Sequence, residues 1–478
     1  MKGPRQLLAS LAILSLALSV AAIGGGRAAA APLAGPDRAF FVLPQVGHDV
    51  GGPIHAAPTS AAARQQHVLP LNPGGVPAAL QLAATTDSAV QTSATTPLGT
   101  IDLLNFDGVG VGITPGYADC CAPPDTNLAV GATQVVQWVN LDFAAFDKAT
   151  GALLSGPTAG NSVWAGFSGG NCATNNDGDP TVQYDKLAGR WVMTQFSVTG
   201  GPPYFQCVAV SNTSNFVTTT WNRYAFSFGN QFPDYPKLGV WPDAYYMSFN
   251  LFLNGSTFSG AAACAFDRSA MQAGQPTNGQ CFTMGSGVAS MLPSDLDGAT
   301  GALGSTQRPP AGSPDFFLNF GSNSLNIWKF HVDFANSSRT TMTGPTTLAV
   351  PSFAEACGGG TCIPQRNVGQ RLDSLGDRLM YRLAYRNFGP HESLVVTHSV
   401  QGSGTSAPRW YELRSNTATA PGAFSVYQRS SYAPDATYRW LGSAAMDKNG
   451  NLALGYSASS TSIYPAILYS GRAAGDPL

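Results

Sequence analysis

The stretch 177-DGDPTVQYDKLAGRWVMTQFS-197 contains a polar loop, a short apolar strand, a tight turn and a second strand. Similar stretches recur as 234-DYPKLGVWPDAYYMSFN-250, 313-SPDFFLNFG-321, 373-DSLGDRLMYRLAYRN-387 and 443-SAAMDKNGNLALGYS-457. Their turns lie 54 to 72 residues apart, and self-similarity at such a period indicates an array of like units. Further strand-like runs follow each pair, for example 205-FQCVAVSNT-213. Four strands per unit joined by short turns is the pattern of a propeller blade.

The chain contains six such units, the first beginning near 135-VVQWVN-140. We therefore predict an all-β fold, a β-propeller of six four-stranded blades. Five or seven blades are alternatives because the repeats are unevenly spaced. The last unit offers three clear strands, so we expect the segment 100-TIDLLNFDGV-109 to complete it and close the ring, which would remove exposed edges. A pair of β-sandwiches is the alternative fold.

Charge and composition narrow the function classes. The net charge of −2 gives no basic face for a nucleic acid. The chain has 54 Gly and 34 Pro with only 11% charged residues, which favours many short strands joined by turns over long helices.

The N-terminal region predicts export. Residues 1–31 have a basic start, an apolar run and small residues, the layout of a secretory signal peptide. Residues 32–99 are rich in Ala, Pro, Thr, Ser and Gln and are predicted to be a linker or pro-segment, which leaves residues 100–478 for the propeller. We expect a secreted, periplasmic or extracellular monomer with no membrane span after cleavage of the signal.

The eight cysteines agree with an oxidising compartment. Cys357 and Cys362 enclose a short loop, and Cys264 and Cys281 bracket a hairpin. Cys172 and Cys207 lie in another unit, and the adjacent Cys120 and Cys121 could pair with them.

Several phrases carry a resemblance to known proteins. They are 123-PPDTN-127, 178-GDPTVQYDKLAGRW-191, 232-FPDYPKLGVWPDAYY-246, 371-RLDSLGDRLMYRLAYRNFGPHESLVVTHS-399 and 438-YRWLGSAAMDKNGNLALGYS-457. The chain resembles, over about residues 100 to 475, an uncharacterised family of secreted bacterial β-propeller proteins. It is also loosely similar to sialidase-like and glycosidase propellers, although no S-x-D-x-G-x-T-W Asp-box is present. The first resemblance implies a fold and export, and the second implies action on carbohydrate.

Four aspartates precede innermost strands: Asp125, Asp179, Asp234 and Asp373. Proline flanks the first three and would fix their loops. Loops at this position meet at the mouth of a propeller's channel, so these carboxylates could act there as general acid and as nucleophile or base of a glycoside hydrolase. The alternative is that each one caps a turn.

A second cluster lies in 386-RNFGPHESLVVTH-398. We place His391 on a second-to-third strand loop, at the same end as the aspartates, where it could serve a polysaccharide lyase as base. Arg382 and Arg386 alternate along the preceding strand and could bind a substrate carboxylate, as could Arg439. Ion pairing inside the protein is the alternative for these arginines. Tyr235 is a candidate for binding a sugar ring.

Oxygen-rich loops could hold Ca²⁺ as a cofactor. Asn175, Asp177 and Asp179 lie at alternate positions around Gly178. Asp295 and Asp297 have the same spacing in 294-SDLDG-298.

The sequence therefore predicts a secreted carbohydrate-active enzyme whose ligand is a polysaccharide or glycan, a glycoside hydrolase with paired carboxylates. The alternatives are a non-catalytic propeller that binds glycan or protein at the cell surface, and a polysaccharide lyase.

Overall fold

The structure is a computed structural model that describes residues 38–54, 89–91, 104–115, 117–118, 123–298 and 308–476. In chain order its strands are β1 (Ala39–Leu43), β2 (Gln45–Gly51), β3 (Val90–Gln91), β4 (Asn127–Val130), β5 (Gln134–Val139), β6 (Asp142–Asp147), β7 (Leu153–Ala159), β8 (Thr181–Asp185), β9 (Arg190–Ser197), β10 (Tyr204–Ser211), β11 (Trp221–Gly229), β12 (Gln231–Val240), β13 (Ala244–Leu253), β14 (Thr257–Asp267), β15 (Gly279–Thr283), β16 (Leu292–Leu296), β17 (Asp315–Gly321), β18 (Ser324–His331), β19 (Thr341–Ala349), β20 (Thr361–Gln365), β21 (Val368–Asp373), β22 (Leu379–Asn387), β23 (His391–Gln401), β24 (Ser406–Asn416), β25 (Ser425–Tyr432), β26 (Tyr438–Met446), β27 (Leu452–Ser459) and β28 (Ala466–Arg472).

Helical structure is scarce in this part of the chain. The α-helix α1 spans Arg268–Gln272, and short 3₁₀ turns cover Gly160–Trp164, Ser337–Arg339 and Ala356–Gly359. None of the helices within the described ranges is long and apolar enough to cross a membrane.

Consecutive strands form antiparallel meanders. Strands β4–β7 form one sheet, and β8–β11 and β12–β15 form two more, to which β2 and β1 add as fifth strands beside β11 and β15. Strands β16–β19 and β22–β25 form two further meanders, while β26–β28 form a three-stranded sheet and β20–β21 a separate hairpin.

The prediction of an all-β, propeller-like protein is confirmed, but six separate four-stranded blades are not observed. Within the described ranges, only four of the sheets have four or more strands. One reason is that β16 pairs in parallel with β22 over three residue pairs, so two meanders and β3 join in one nine-stranded sheet. The other is that the last sheet has three strands where the structure describes it.

Ring closure by 100-TIDLLNFDGV-109 is also not observed. Residues 104–109 form no strand, and residues 101–103 lie outside the described residues. Edge pairing comes instead from residues 39–51, which fall within the predicted linker. They form β1 and β2 because the outer strands β15 and β11 offer unpaired backbone groups that another strand can satisfy. The linker prediction for residues 55–88 and 92–99 falls outside the described residues.

The core lies between neighbouring sheets. Strand β9 is buried along Trp191–Ser197, which explains why its sequence carries no charge there and does not alternate between apolar and polar residues. Large clusters combine residues of successive meanders, and Trp191, Trp241 and Trp328 are each buried in them.

Three disulfides join Cys172 to Cys207, Cys264 to Cys281 and Cys357 to Cys362. The last two agree with the sequence reading. The first excludes a pairing of Cys172 or Cys207 with Cys120 or Cys121, two residues that lie outside the described ones.

Candidate active site

A similar left-handed backbone position lies just before or within the first strand of each unit. A non-glycine residue adopts a left-handed φ between 43° and 54° at each of these positions: Asp125, Asp179, Tyr235, Ser290, Leu375 and Leu441. Such conformations are uncommon for non-glycine residues, with Asp more tolerant than most. In the first three units the residues at this position, Asp125, Asp179 and Tyr235, lie close enough to interact.

Asp125 and Asp179 meet directly there. Their carboxyl groups hydrogen-bond to each other, so one of them carries a proton. Asn140 Nδ2 donates to Asp125 Oδ2 at 2.8 Å and to the Pro123 carbonyl at 3.0 Å. A Cβ on Gly178 would lie 2.2 Å from Asn140 Oδ1, so glycine is required for this close approach.

Asp234 supplies a third carboxyl group from the next unit. Its residue is 7% exposed, whereas Asp125 and Asp179 are half-buried. The backbone of Tyr235 donates hydrogen bonds to Asp179 and Asp234. Lys237 interacts electrostatically with all three aspartates, and its Nζ lies 3.7 Å from the centre of the Tyr235 ring. We call Asp125, Asp179, Asp234 and Lys237 the carboxylate cluster.

Arg378 lies beside this cluster. Its Nε and Nη2 donate to the two oxygens of Asp377 at 2.7 and 2.9 Å, and its guanidinium lies 4.9 Å from the centre of the Tyr235 ring. Glu355 interacts with Asp377 and Arg378 on the far side. Sequence reasoning missed Glu355, because it lies in the loop 353-FAEACGGGTC-362 and not before an innermost strand.

Burial controls the acidity of these groups. Burial, then the negative charge of Asp179, holds the pKa of Asp125 well above its usual range. Burial also raises the pKa of Asp179, against the opposing charge of Lys237. Burial and the Asp179 charge raise the pKa of Asp234 to about 7. Burial lowers the pKa of Lys237. At neutral pH we therefore expect Asp125 to be protonated and to donate to an ionised Asp179.

Glu355 has a similar property. Burial and the charge of Asp377 raise the pKa of Glu355 to about 7, against the effect of Arg378. A carboxyl group with such a pKa can give or accept a proton near neutral pH.

Asp373 does not join the cluster by any contact of the described residues. It ends β21, where it accepts hydrogen bonds from the Leu375 amide at 2.9 Å and from Thr361 Oγ1 at 3.2 Å. The left-handed position of this unit is occupied by Leu375 instead. Asp373 caps a turn, which was the alternative interpretation.

His391 lies at the other end of its unit, contrary to prediction. Strand β22 is the first strand, so residues 388–390 form the first-to-second strand turn. Arg378 marks the cluster end of β22, and nine residues of strand extend about 27 Å. The His391 ring stacks on Phe388 at 4.8 Å, and burial, then the charge of Arg414, lowers its pKa. A role in chemistry at the cluster is therefore ruled out by position.

Arg382 and Arg386 belong to an ion-pair network. Arg382 Nε donates to Asp295 at 2.5 Å, and its Nη2 donates to Asp297. Arg386 donates to the carbonyl oxygens of Met446 and Asp297, both at 2.9 Å. Burial acts to raise the pKa of Asp297, but the charges of Arg382 and Lys186 lower it overall. The carboxylates of the second predicted calcium loop are thus paired with arginine.

Arg439 and Tyr235 are likewise engaged. Arg439 of β26 forms two hydrogen bonds, at 2.9 and 2.8 Å, to Asp435 in the loop just before that strand. Since Lys237 and Arg378 lie over the Tyr235 ring, that ring is not a bare platform for a sugar.

The first predicted calcium loop is held by hydrogen bonds. Asp177 accepts from the amides of Val198 and Thr199 at 2.5 and 2.8 Å, and Asn175 Nδ2 donates to Ser197 Oγ at 3.0 Å. Asp179 lies with Asp125. Within the described ranges, no group of three or more His, Cys, Asp or Glu residues is arranged to hold a metal ion.

A surface groove beside Thr133, Asp147 and Asn215 is a weaker candidate. Hydrogen bonds from Thr150 lower the pKa of its one carboxylate, Asp147, which leaves no acid–base pair.

Comparison with known proteins gives structural matches at low scores. No protein-family model and no curated protein matches the chain. An exo-1,5-α-L-arabinanase from a bovine ruminal metagenomic library matches with a TM-score of 0.29 and 9% identity, over 73% of this chain and 92% of that one. A bifunctional GH43-CE protein of Bacteroides eggerthii matches with a TM-score of 0.29 and 10% identity, over 59% and 31%. An α-L-arabinofuranosidase of Clostridium thermocellum matches with a TM-score of 0.25 and 12% identity, over 60% and 87%. Values this low do not transfer an activity.

Proposed function

We propose that this protein is a glycoside hydrolase whose reaction takes place at the carboxylate cluster. One observation carries the proposal: three successive units bring Asp125 and Asp179, from the turns before β4 and β8, together with Asp234 of β12, with one proton shared between two of them and a raised pKa on the third. Glycoside hydrolysis requires two carboxyl groups, one protonated and one ionised, and different environments hold them in those two states.

The distances restrict the assignment of roles. Acid and base in glycosidases lie about 5 to 9.5 Å apart, to leave room for the anomeric carbon or a water. Asp125 and Asp179 hydrogen-bond to each other, so they are too close to be that pair and act as one unit. The second group is then Asp234.

In this scheme Asp234 donates its proton to the glycosidic oxygen as that bond breaks. The ionised Asp179 acts on the other side of the sugar, either by attacking the anomeric carbon or by taking a proton from the attacking water. Asp125 positions Asp179 through the shared hydrogen bond, and Lys237 supports its negative charge.

The two alternatives lack a supporting observation of their own. A propeller that bound glycan at the carboxylate cluster would present a bare aromatic ring there, but cations cover Tyr235. A lyase using His391 would need that side chain at the cluster end of β22.

Other expectations remain proposals. Export is supported by the three disulfides, which form in oxidising compartments. Calcium binding at Asn175, Asp177 and Asp179 stays a prediction, as does the monomer. A count of six blades is proposed only if the nine-stranded sheet is taken as two blades, which the six left-handed turns support.

The test is product release from plant, algal and microbial polysaccharides by the full chain. Reducing ends and the absorbance of unsaturated uronates are read in the same wells. We expect new reducing ends, reduced about 100-fold or more in Asp179→Asn and Asp234→Asn. Asp373→Asn is the matched control and keeps its activity. Absorbance without new hydrolysis products, or equal loss in the control, would reject the assignment.

A further inference from the structure

Negative charge predominates at the proposed site. Five carboxyl groups interact there, those of Asp125, Asp179, Asp234, Glu355 and Asp377. They face two cations, Lys237 and Arg378. Because Asp125 is expected to stay protonated at neutral pH, the group carries a net charge of −2 (two positive against four negative charges) once Asp234 and Glu355 ionise above about pH 7. Above that pH the field of this group therefore attracts cations and repels anions.

The two cations are already committed to carboxylates. Both donor groups of Arg378 that face Asp377 form hydrogen bonds under 3 Å. Lys237 interacts with three aspartates at once. A carboxylate of the substrate would therefore have to share Lys237 or Arg378 with carboxylates of the protein.

The arginines predicted to bind an anionic substrate serve other partners. Arg382 pairs with Asp295 and Asp297, and Arg439 pairs with Asp435. Among the described residues, these contacts leave neither arginine turned toward the cluster. A uronate would therefore bring a further negative charge beside Asp179 and Asp234 with no compensating partner, and such like-charge contacts disfavour binding.

We propose that this site selects amino sugars: a glycan with protonated amino groups binds in preference to its neutral N-acetylated counterpart, and uronate polymers are excluded. The inference rests on the proposed function, since it concerns the substrate class of the same cluster. The physical reason is that an ammonium group donates hydrogen bonds to ionised carboxylates and offsets their mutual repulsion. Its arrival also favours ionisation of carboxyl groups that burial holds protonated, so binding releases protons.

The experiment compares three oligosaccharides of equal length on the full chain: deacetylated chito-oligosaccharide, its N-acetylated form and oligogalacturonate. Equilibrium binding is measured at about pH 7.5, where Asp234 and Glu355 are mostly ionised and part of the amino groups is still protonated, at low and at high salt. We expect the deacetylated form to bind at least about tenfold more tightly than the neutral form, with the preference reduced by salt. Oligogalacturonate is expected to bind weakest.

Variants connect this preference to the cluster. Asp234→Asn and Asp179→Asn should each reduce the preference severalfold, whereas Asp435→Asn, which removes an exposed carboxylate elsewhere, should leave it unchanged. Three results would each overturn the inference. They are equal or tighter binding of either of the other oligosaccharides, a preference that survives in both cluster variants, and no binding of any of the three. Release of reducing ends from a neutral polymer together with any of these results would leave the hydrolase proposal standing, so the two failures are distinguishable.

Discussion

The raised pKa of Asp234 suits a general acid, but it makes the folded protein less stable as pH rises. The folded protein holds this carboxyl group with a pKa of about 7, against 3.8 ordinarily. Between these values the folded protein binds a proton that the unfolded chain releases, so this group's contribution to stability is lost as pH rises from about 4 to 7.

Asp234→Asn should therefore stabilise the protein at pH 8 while abolishing hydrolysis. The gain is up to about 4 kcal/mol, since one pKa unit corresponds to about 1.4 kcal/mol. It should nearly vanish at about pH 4, where wild-type Asp234 is protonated in both states. Urea unfolding of both proteins at the two pH values measures the effect, and a gain that is the same at both would contradict it.

His398 gives the opposite pH dependence. It is fully buried, Tyr411 is its hydrogen-bonding partner, and burial, then the charge of Arg409, holds its pKa well below 6.5. Below about pH 6.5 the unfolded chain binds a proton at this histidine that the folded protein does not bind. Stability is therefore lost as pH falls through this range. In His398→Gln we expect a smaller decrease in the free energy of unfolding between pH 7 and 5 than in the wild type. An unchanged pH slope would refute this assignment.

The ion pairs of Arg382 and Arg439 differ in burial. Replacing Arg382 by Met leaves Asp295 buried without its cation and Asp297 with only the more distant Lys186, which costs about 3 to 5 kcal/mol. Asp435→Asn removes a partner that is 54% exposed and should cost less than about 1 kcal/mol. Comparing the midpoints of chemical unfolding tests the contrast, and equal losses would count against it.

At the scale of elements, local patterns identified most strands. Apolar runs such as 191-WVMTQFS-197, bounded by turn residues, correspond to observed strands. They did so because strand formation depends on neighbours within the run and on the turn next to it. The position of a strand within its unit was harder to predict. The prediction made β22 the second strand of its unit instead of the first, and this placed His391 at the same end as the aspartates.

The three disulfides close loops of different length. Their cysteines are 35, 17 and 5 residues apart, for Cys172–Cys207, Cys264–Cys281 and Cys357–Cys362. If loop-closure entropy dominates, replacing each pair by Ser should cost about 4, 3 and 2 kcal/mol in that order. Calorimetry on the three double variants measures the ranking, and a reversed order would show that native packing dominates instead.

The shortest disulfide also bears on the site, since its loop carries Glu355. A Cβ on Gly359 would lie 3.0 Å from Glu355 Oε2, and one on Gly376 would lie 2.6 Å from the Ala356 carbonyl. The loop is thus packed closely against the segment that contains Asp377 and Arg378, and glycine at both positions permits this contact.

At the scale of the whole molecule, residues 39–51 connect the chain's beginning to two distant sheets. Strand β2 pairs with β11 and β1 with β15, and Arg223 forms hydrogen bonds of 2.8 and 2.7 Å to Asp49. Arg38 donates to the Met342 carbonyl at 2.7 Å.

Deleting residues up to Gly51 should lower the melting temperature by at least a few degrees and promote association, because it exposes the edges of β11 and β15. Thermal unfolding and size-exclusion chromatography of the truncated and full chains test this. Asp49→Asn, which keeps both strands, is the control and should remain monodisperse. A truncated chain as stable and as monodisperse as the full one would show that these strands are dispensable.

The sequence by itself determined most strands, the turns between them and the aspartates near the start of the first strands, because these depend on residues close together in the chain. It therefore indicated Asp125, Asp179 and Asp234. Only the tertiary structure decided that Glu355 lies near them, that Asp373 does not, and that Arg382 and Arg439 serve other carboxylates. Those outcomes depend on which units become neighbours, and residues as far apart as Asp295 and Arg382 reveal their pairing only when their strands pack together.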